Sequence, residues 1–145
     1  MDAVQRKVSH RDKGGAVRSL LGRKCRFDLW EPNMFVSARA LPKEEANIEY
    51  GDNIKRAYTY KALNRLIQSS AADQTKEAMA KIHEETGKIP LLQIHDELAF
   101  SVASEKEARD LCTIMEDAVK LEVPSPSDIS MGGNWGNLAT LDIDH

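Results

Sequence analysis

The segment Leu91-Leu92-Gln93-Ile94-His95-Asp96-Glu97-Leu98-Ala99-Phe100-Ser101-Val102 is the tightest constraint on how this chain can fold. Apolar and polar residues alternate along it, the side-chain period of a strand rather than a helix. Leu92 and Ile94 share one face of a first arm; Leu98, Phe100 and Val102 share one face of a second. Polar residues separate the arms, so the pattern predicts a hairpin bent around His95-Asp96. Adjacent carboxylates at such a tip repel each other, and a cation makes the pair easier to keep. Mg²⁺ takes carboxylate oxygens and completes its shell with water and substrate phosphates. Turns also favour Asp for conformational reasons alone. The chemistry of the turn by itself therefore leaves both a metal site and a plain surface turn open.

The rest of the chain supplies amphipathic helices to cover such hairpins. Val4 to Arg11 reads as a short polar helix ending near Gly14-Gly15. Ala16–Leu21 and Lys24–Leu29, separated by Gly22-Arg23, read as a second hairpin. Glu31 to Gly51 carries Pro32 and Pro42 and is expected to be loop, with one helical turn after Pro42. Asp52 is a candidate N-cap for a helix reaching Thr86, where Gly87 and Pro90 supply stop signals. Ala71, Thr75, Ala78, Met79 and Ile82 give that helix one face to bury, and a break is expected near Ser69-Ser70. A further helix places Ala108, Leu111, Cys112, Met115 and Val119 on its apolar side. A strand is expected near Asp128–Met131, ahead of Gly132-Gly133-Asn134-Trp135, with Trp135 packed in the core. The class is α+β, with antiparallel hairpins packed against amphipathic helices.

A chain of 145 residues is one domain's worth of sequence, and residues 1–145 are read as one unit without repeats. The apolar share of 41% suits a globular protein, and no segment resembles a membrane span or a signal peptide. Cys25 and Cys112 follow no metal spacing and read as reduced cytoplasmic thiols. Charge is uneven: 14 Lys+Arg face 8 Asp+Glu up to Gln68, and 6 face 15 beyond it. A basic half suits a polyanionic partner, although imbalances of this size also occur on ordinary solvated surfaces.

Gln93-Ile94-His95-Asp96-Glu97-Leu98 resembles the His-Asp-Glu hairpin of DNA polymerase I-type (family A) DNA polymerases, the third palm motif of that family. Upstream, Lys61-Ala62-Leu63-Asn64-Arg65-Leu66-Ile67-Gln68-Ser69-Ser70-Ala71-Ala72-Asp73 resembles the family's helix with Asn, Gln and Ala-Ala-Asp. Leu20-Leu21-Gly22-Arg23-Lys24-Cys25-Arg26-Phe27 is similar to its Gly-Arg-Arg hairpin, and Gly133-Asn134-Trp135 to its closing Gly-x-Asn-Trp. The resemblance runs from about Gly14 to Leu138 in family order. It implies that Asp96 binds catalytic Mg²⁺, with Glu97 beside the metals and His95 near the primer terminus. Tyr60, Asn64 and Gln68 fall on one helical stripe, and the two amides can reach minor-groove base edges, where all base pairs offer acceptors. Arg56, Lys61 and Arg65 flank the stripe as candidate phosphate contacts, and Arg23 and Lys24 form a basic turn near the duplex. Two positions depart from the family: Tyr60 stands where many relatives have a basic residue, and Ser69 where the helix often has Gly. The Thr59–Asn64 variant looks closest to phage-type members.

The resemblance covers part of a polymerase palm. The family's other metal strand, roughly Asp-Tyr-Ser, and the fingers helix that grips the incoming triphosphate are not found here. Arg39, Lys43, Tyr50 and Gly51 mimic that helix only faintly, with Pro42 inside the run. The chain opens just after the point where the fingers would end. The expectation is a split subunit or fragment of a DNA-directed DNA polymerase, inactive alone. It would share a two-metal Mg²⁺ site with a separate chain and act on primer-template DNA and deoxynucleoside triphosphate in the cytoplasm. A non-catalytic DNA-binding module or degenerate remnant is the alternative. A metal hydrolase is disfavoured because His10, His83 and His145 show no ligand spacing.

Overall fold

The computed structural model describes residues 2–11, 13–34 and 37–141. Within them the chain mixes four α-helices with small antiparallel sheets, and it gathers into two compact units, Met1–Ser70 and Ala71–His145. No described helix is long and apolar enough to cross a membrane.

The first unit opens on helix α1 (Ala3–Ser9), capped where the Asp2 carboxylate accepts from the Gln5 amide at 2.6 Å. The Gly14 and Gly15 amides turn back to the carbonyls of His10 and Val8 and deliver the chain into strand β1 (Ala16–Arg18). β1 pairs with β2 (Lys24–Arg26), Val17 opposite Cys25, so the expected hairpin forms around Gly22 at φ 86°. Val8, Val17, Phe27 and Ala62 make one buried cluster.

Residues 31–51 are not the loop that their prolines suggest. Strand β3 (Leu29–Pro32) lies between β4 (Leu41–Pro42) and β5 (Ile54–Arg56), and α2 (Lys43–Tyr50) is a true helix rather than one turn. Both prolines stand at strand ends, Pro32 closing β3 opposite Ile54 and Pro42 closing the edge strand β4. A missing N–H is tolerated there. Trp30, Leu41, Ala46 and Ile54 form the second buried cluster, with Tyr50 packed against it.

Asp52 is not an N-cap. After β5 the chain passes through Tyr58 and a 3-10 turn (Thr59–Lys61) before α3 (Ala62–Thr86) begins. The expected break at Ser69-Ser70 is absent: both hydroxyls donate back to the Leu66 carbonyl, at 3.2 and 2.7 Å, and the helix continues. In the second unit α3 buries Thr75, Ala78 and Ile82, as its periodicity predicts, while Ala71 is exposed. β6 (Leu92–Ile94) and β7 (Glu97–Ala99) form the central hairpin. α4 (Glu105–Glu116) buries Leu111 and packs against β8 (Ile129–Met131), which pairs with β9 (Ala139–Leu141). Val119 lies beyond the end of α4. Trp135 is 55% exposed in the β8–β9 connection and does not join a core. A ring placed in a glycine-flanked turn has too little chain around it to be covered.

Gly15 has φ 95°, and a Cβ there would stand 2.7 Å from the Arg56 guanidinium. Gly22 has a similar φ but open space around it. Gly22→Ala is expected to cost about 1 kcal/mol from backbone strain alone, and Gly15→Ala about 2 kcal/mol or more. Urea unfolding followed by emission from buried Trp30, in a Trp135→Phe background, measures both. Equal costs would mean that Arg56 yields freely.

Candidate metal turn and nucleic-acid face

The β6–β7 register pairs Leu92 with Ala99, Gln93 with Leu98 and Ile94 with Glu97, leaving His95 and Asp96 as a two-residue turn. His95 adopts φ 55°, a left-handed conformation that is uncommon outside glycine but enriched for His. The Gln93 side-chain amide donates to the His95 carbonyl at 2.6 Å and braces the turn from within. Below the ladder, Lys88 Nζ donates to the Ser101 carbonyl at 2.9 Å and pairs with Glu107 at 2.8 Å. The other Glu107 oxygen accepts from the Ala103 amide at 2.6 Å, and Ser104 Oγ caps α4 by accepting from the Glu107 amide. The two ends of the hairpin are thus tied to each other and to the first turn of α4. Lys88 first, and the Ala103 amide next, hold the Glu107 carboxyl below its ordinary range.

His95, Asp96 and Glu97 are all exposed at the tip. Among the described residues no three His, Cys, Asp or Glu side chains gather closely enough to hold a metal, and His145 lies outside those residues. Asp96 and Glu97 still fit Mg²⁺, which is commonly bound through one or two carboxylates and completed by water and substrate phosphates. The register also settles the faces of the hairpin. Directly paired residues share a face, so Leu92 and Ile94 lie opposite the face of Leu98. Leu91 is 74% exposed, and Leu92 and Ile94 are exposed as well. Apolar residues on both faces are typical of a strand pair with cover on both sides.

In the first unit, α3 and the 3-10 turn before it present a second surface. Tyr60, Asn64 and Gln68 are exposed at a spacing of four, with Leu63 and Ile67 beside them. The flanking cations divide into two groups. Arg56 is directed into the unit: its guanidinium donates to the carbonyls of Phe27, Arg11 and His10 at 3.0, 3.1 and 3.4 Å and lies 4.6 Å from the Trp30 ring centre. Arg65 donates to the Arg26 carbonyl at 3.4 Å and stacks over Phe27 at 4.8 Å. Arg23 reaches the Ser69 carbonyl at 3.0 Å, joining the β1–β2 turn to α3. Lys24 and Lys61 are exposed, with the Lys61 ammonium near the rings of Tyr58 and Tyr60.

A family model described as DNA polymerase family A matches residues 2–137. This chain belongs to that family. It is 40% identical over 124 residues to the DNA-directed DNA polymerase of Pseudomonas phage M6, an alignment covering 85% of this chain and 15% of the phage protein. It is 29% identical over 138 residues to thermostable DNA polymerase I of Thermus aquaticus, covering 91% of this chain and 14% of that enzyme. With DNA polymerase theta of Drosophila melanogaster it shares 26% over 157 residues, covering 98% and 7%. The chain therefore spans about one seventh of the phage and Thermus polymerases.

Within this family A chain, sequence reasoning placed the hairpin tip and the helical stripe but missed what braces them. The Lys88–Glu107 tie had one visible signal, the capping-box spacing Ser104-x-x-Glu107. The inward course of Arg56 had none. Cys112 is no candidate nucleophile: burial first, then Glu116, pushes its thiol up to about 11.

Because the Glu107 carboxyl is lowered in the folded chain, its tie is complete above the ordinary Glu value of 4.5 and is lost as pH falls through the lower folded value. Glu107→Gln is expected to speed exchange of the Leu91 amide, which donates to Ala99 at 2.8 Å, several-fold at neutral pH. Acidification should reproduce that effect in the native chain and not in the variant. Exchange unaffected by either change would remove the tie from the account.

Proposed function

We propose that this chain supplies the metal-bearing hairpin and a primer-template-contacting helix of a DNA-directed DNA polymerase, within the palm. The observation that carries the reading is the β6–β7 turn, which holds Asp96 and Glu97 exposed at the tip of a hairpin whose two faces both carry apolar residues. Such a hairpin suits the interior of a larger sheet, with its acids at the edge where substrate arrives. Asp96 would hold Mg²⁺, with Glu97 beside it and His95 near the primer terminus. In a site of two such ions, one would acidify the primer 3′-hydroxyl and the other would offset charge on the leaving pyrophosphate.

In the first unit, Asn64 and Gln68 would monitor minor-groove edges. Both side chains are exposed, which leaves their donors and acceptors open to bases. Lys24 and Lys61 would meet phosphates, while Arg23 and Arg65 hold the β1–β2 turn and α3 in register with them. The remaining metal ligands and the groups gripping deoxynucleoside triphosphate would come from the rest of the polymerase, carried elsewhere in the polypeptide or on a separate chain. This reading places the chain with primer-template DNA in the cytoplasm, that of a bacterial host cell if the chain is phage-encoded.

A second reading, a non-catalytic DNA-binding module, rests on the exposed Asn64–Gln68 stripe with Lys24 and Lys61 and gives the Asp96 turn no role. It requires salt-sensitive duplex binding that ignores both Mg²⁺ and loss of Asp96.

Primer extension separates the two. A Pseudomonas phage M6 polymerase lacking the aligned segment, supplied with this chain, is expected to extend a primer. Asp96→Asn should reduce the rate roughly 100-fold or more. Extension at the native rate with Asp96→Asn would defeat the catalytic reading.

A further inference from the structure

A cavity of about 230 Å³ opens in the first unit, lined by Gln5 and Ser9 from α1, Lys55 and Arg56 from β5, and Tyr58, Thr59 and Tyr60 ahead of α3. It adjoins the Asn64–Gln68 stripe assigned to the duplex through Tyr60 alone, and the polymerase reading gives the cavity no ligand. Three features give it a chemistry. Tyr58 is held at φ 59°, a conformation that bulky side chains rarely adopt, and backbone strain of this kind concentrates where a side chain must be presented. The Lys61 ammonium lies 5.4 Å from the Tyr58 ring centre and 5.6 Å from that of Tyr60, and both rings are exposed. The Glu31 carboxylate also lines the cavity, paired with Lys55 at 3.7 Å.

These features select among ligands. The Glu31 carboxylate, set beside Lys55 and Arg56 in the wall, can accept from a group that donates hydrogen bonds. The volume is below the usual range for a drug-sized ligand and suits one planar ring with its immediate substituents. Exposed aromatic rings bracketed by lysines are the pattern that stacks bases and meets their flanking phosphates in single strands. We propose that this cavity takes the base of one unpaired nucleotide from a single strand. The base would stack on Tyr58, with its polar edge toward Gln5 and Glu31 and its flanking phosphates at Lys55 and Lys61.

The test is anisotropy of a labelled oligothymidylate and, separately, of a blunt duplex, each titrated with the full chain. Tyr58→Gly removes the ring while keeping a residue at ease with φ 59°, and Tyr58→Phe keeps the ring. Trp30 emission confirms that each variant is folded. Tyr58→Gly is expected to weaken single-strand binding roughly tenfold and leave duplex binding unchanged, with Tyr58→Phe near the native chain. Asn64→Ala with Gln68→Ala should show the reverse preference, so the base pocket and the minor-groove stripe fail independently, with Lys61, which can meet phosphate in either mode, left native. Thymidine monophosphate at equal nucleotide concentration should compete weakly, since it lacks the second phosphate. The proposal is overturned if Tyr58→Gly leaves single-strand affinity intact, if it weakens duplex binding equally, if the native chain binds no single strand, or if the mononucleotide competes as well as the strand.

Discussion

The Arg56 guanidinium joins the two hydrophobic clusters of the first unit. It donates to the carbonyl of Phe27, which belongs to one cluster, and lies over the ring of Trp30, which belongs to the other. Two further donors satisfy the carbonyls of His10 and Arg11 just past the end of α1. A planar fork with several fixed donors can serve three carbonyls and an aromatic face together; a lysine ammonium cannot. Gly15 lacks a side chain where the guanidinium passes. Because Arg56 ends β5, this joint sets where the chain leaves the sheet, and so where Tyr58, the 3-10 turn and the exposed stripe of α3 begin. The DNA-facing geometry proposed for Asn64 and Gln68 thus depends on an arginine bonded to carbonyls within the first unit.

A similar division of labour runs through the basic residues as a group. The charge excess of the first half reads as attraction for a polyanion, yet Arg23, Arg56 and Arg65 all donate to backbone carbonyls. Lys24 and Lys61 remain at the surface. Arginine suits internal bracing because it forms several directed bonds at once, and lysine suits a mobile phosphate contact. Net charge counts cannot separate these uses, and geometry can.

What was legible in the sequence follows from which forces are local. The His95-Asp96 turn, the β1–β2 hairpin and the buried face of α3 are written in alternation, glycine placement and helical spacing, and each appears where expected except at Ala71, which is exposed. The β4-β3-β5 sheet was not legible, since its strands are brief and pair across tens of residues, and Pro32 and Pro42 look like breakers until their positions at strand ends are known. Ser69-Ser70 misleads for a related reason: a hydroxyl that competes with the helix in isolation is satisfied by the Leu66 carbonyl within it. At the candidate site the acids were readable but their supports were not. Gln93 bracing the turn and Lys88 tying its ends are contacts between side chain and backbone that no spacing rule isolates.

The β6–β7 hairpin carries apolar residues on both faces and His95 and Asp96 at its tip. The central claim is that its turn is where a divalent cation sits. Paramagnetic broadening by Mn²⁺, read from backbone amide resonances with primer-template DNA present, addresses this without requiring turnover. Broadening centred on His95, Asp96 and Glu97, and lost in Asp96→Asn, is the predicted result. Broadening centred elsewhere, or unchanged in Asp96→Asn, would contradict the account.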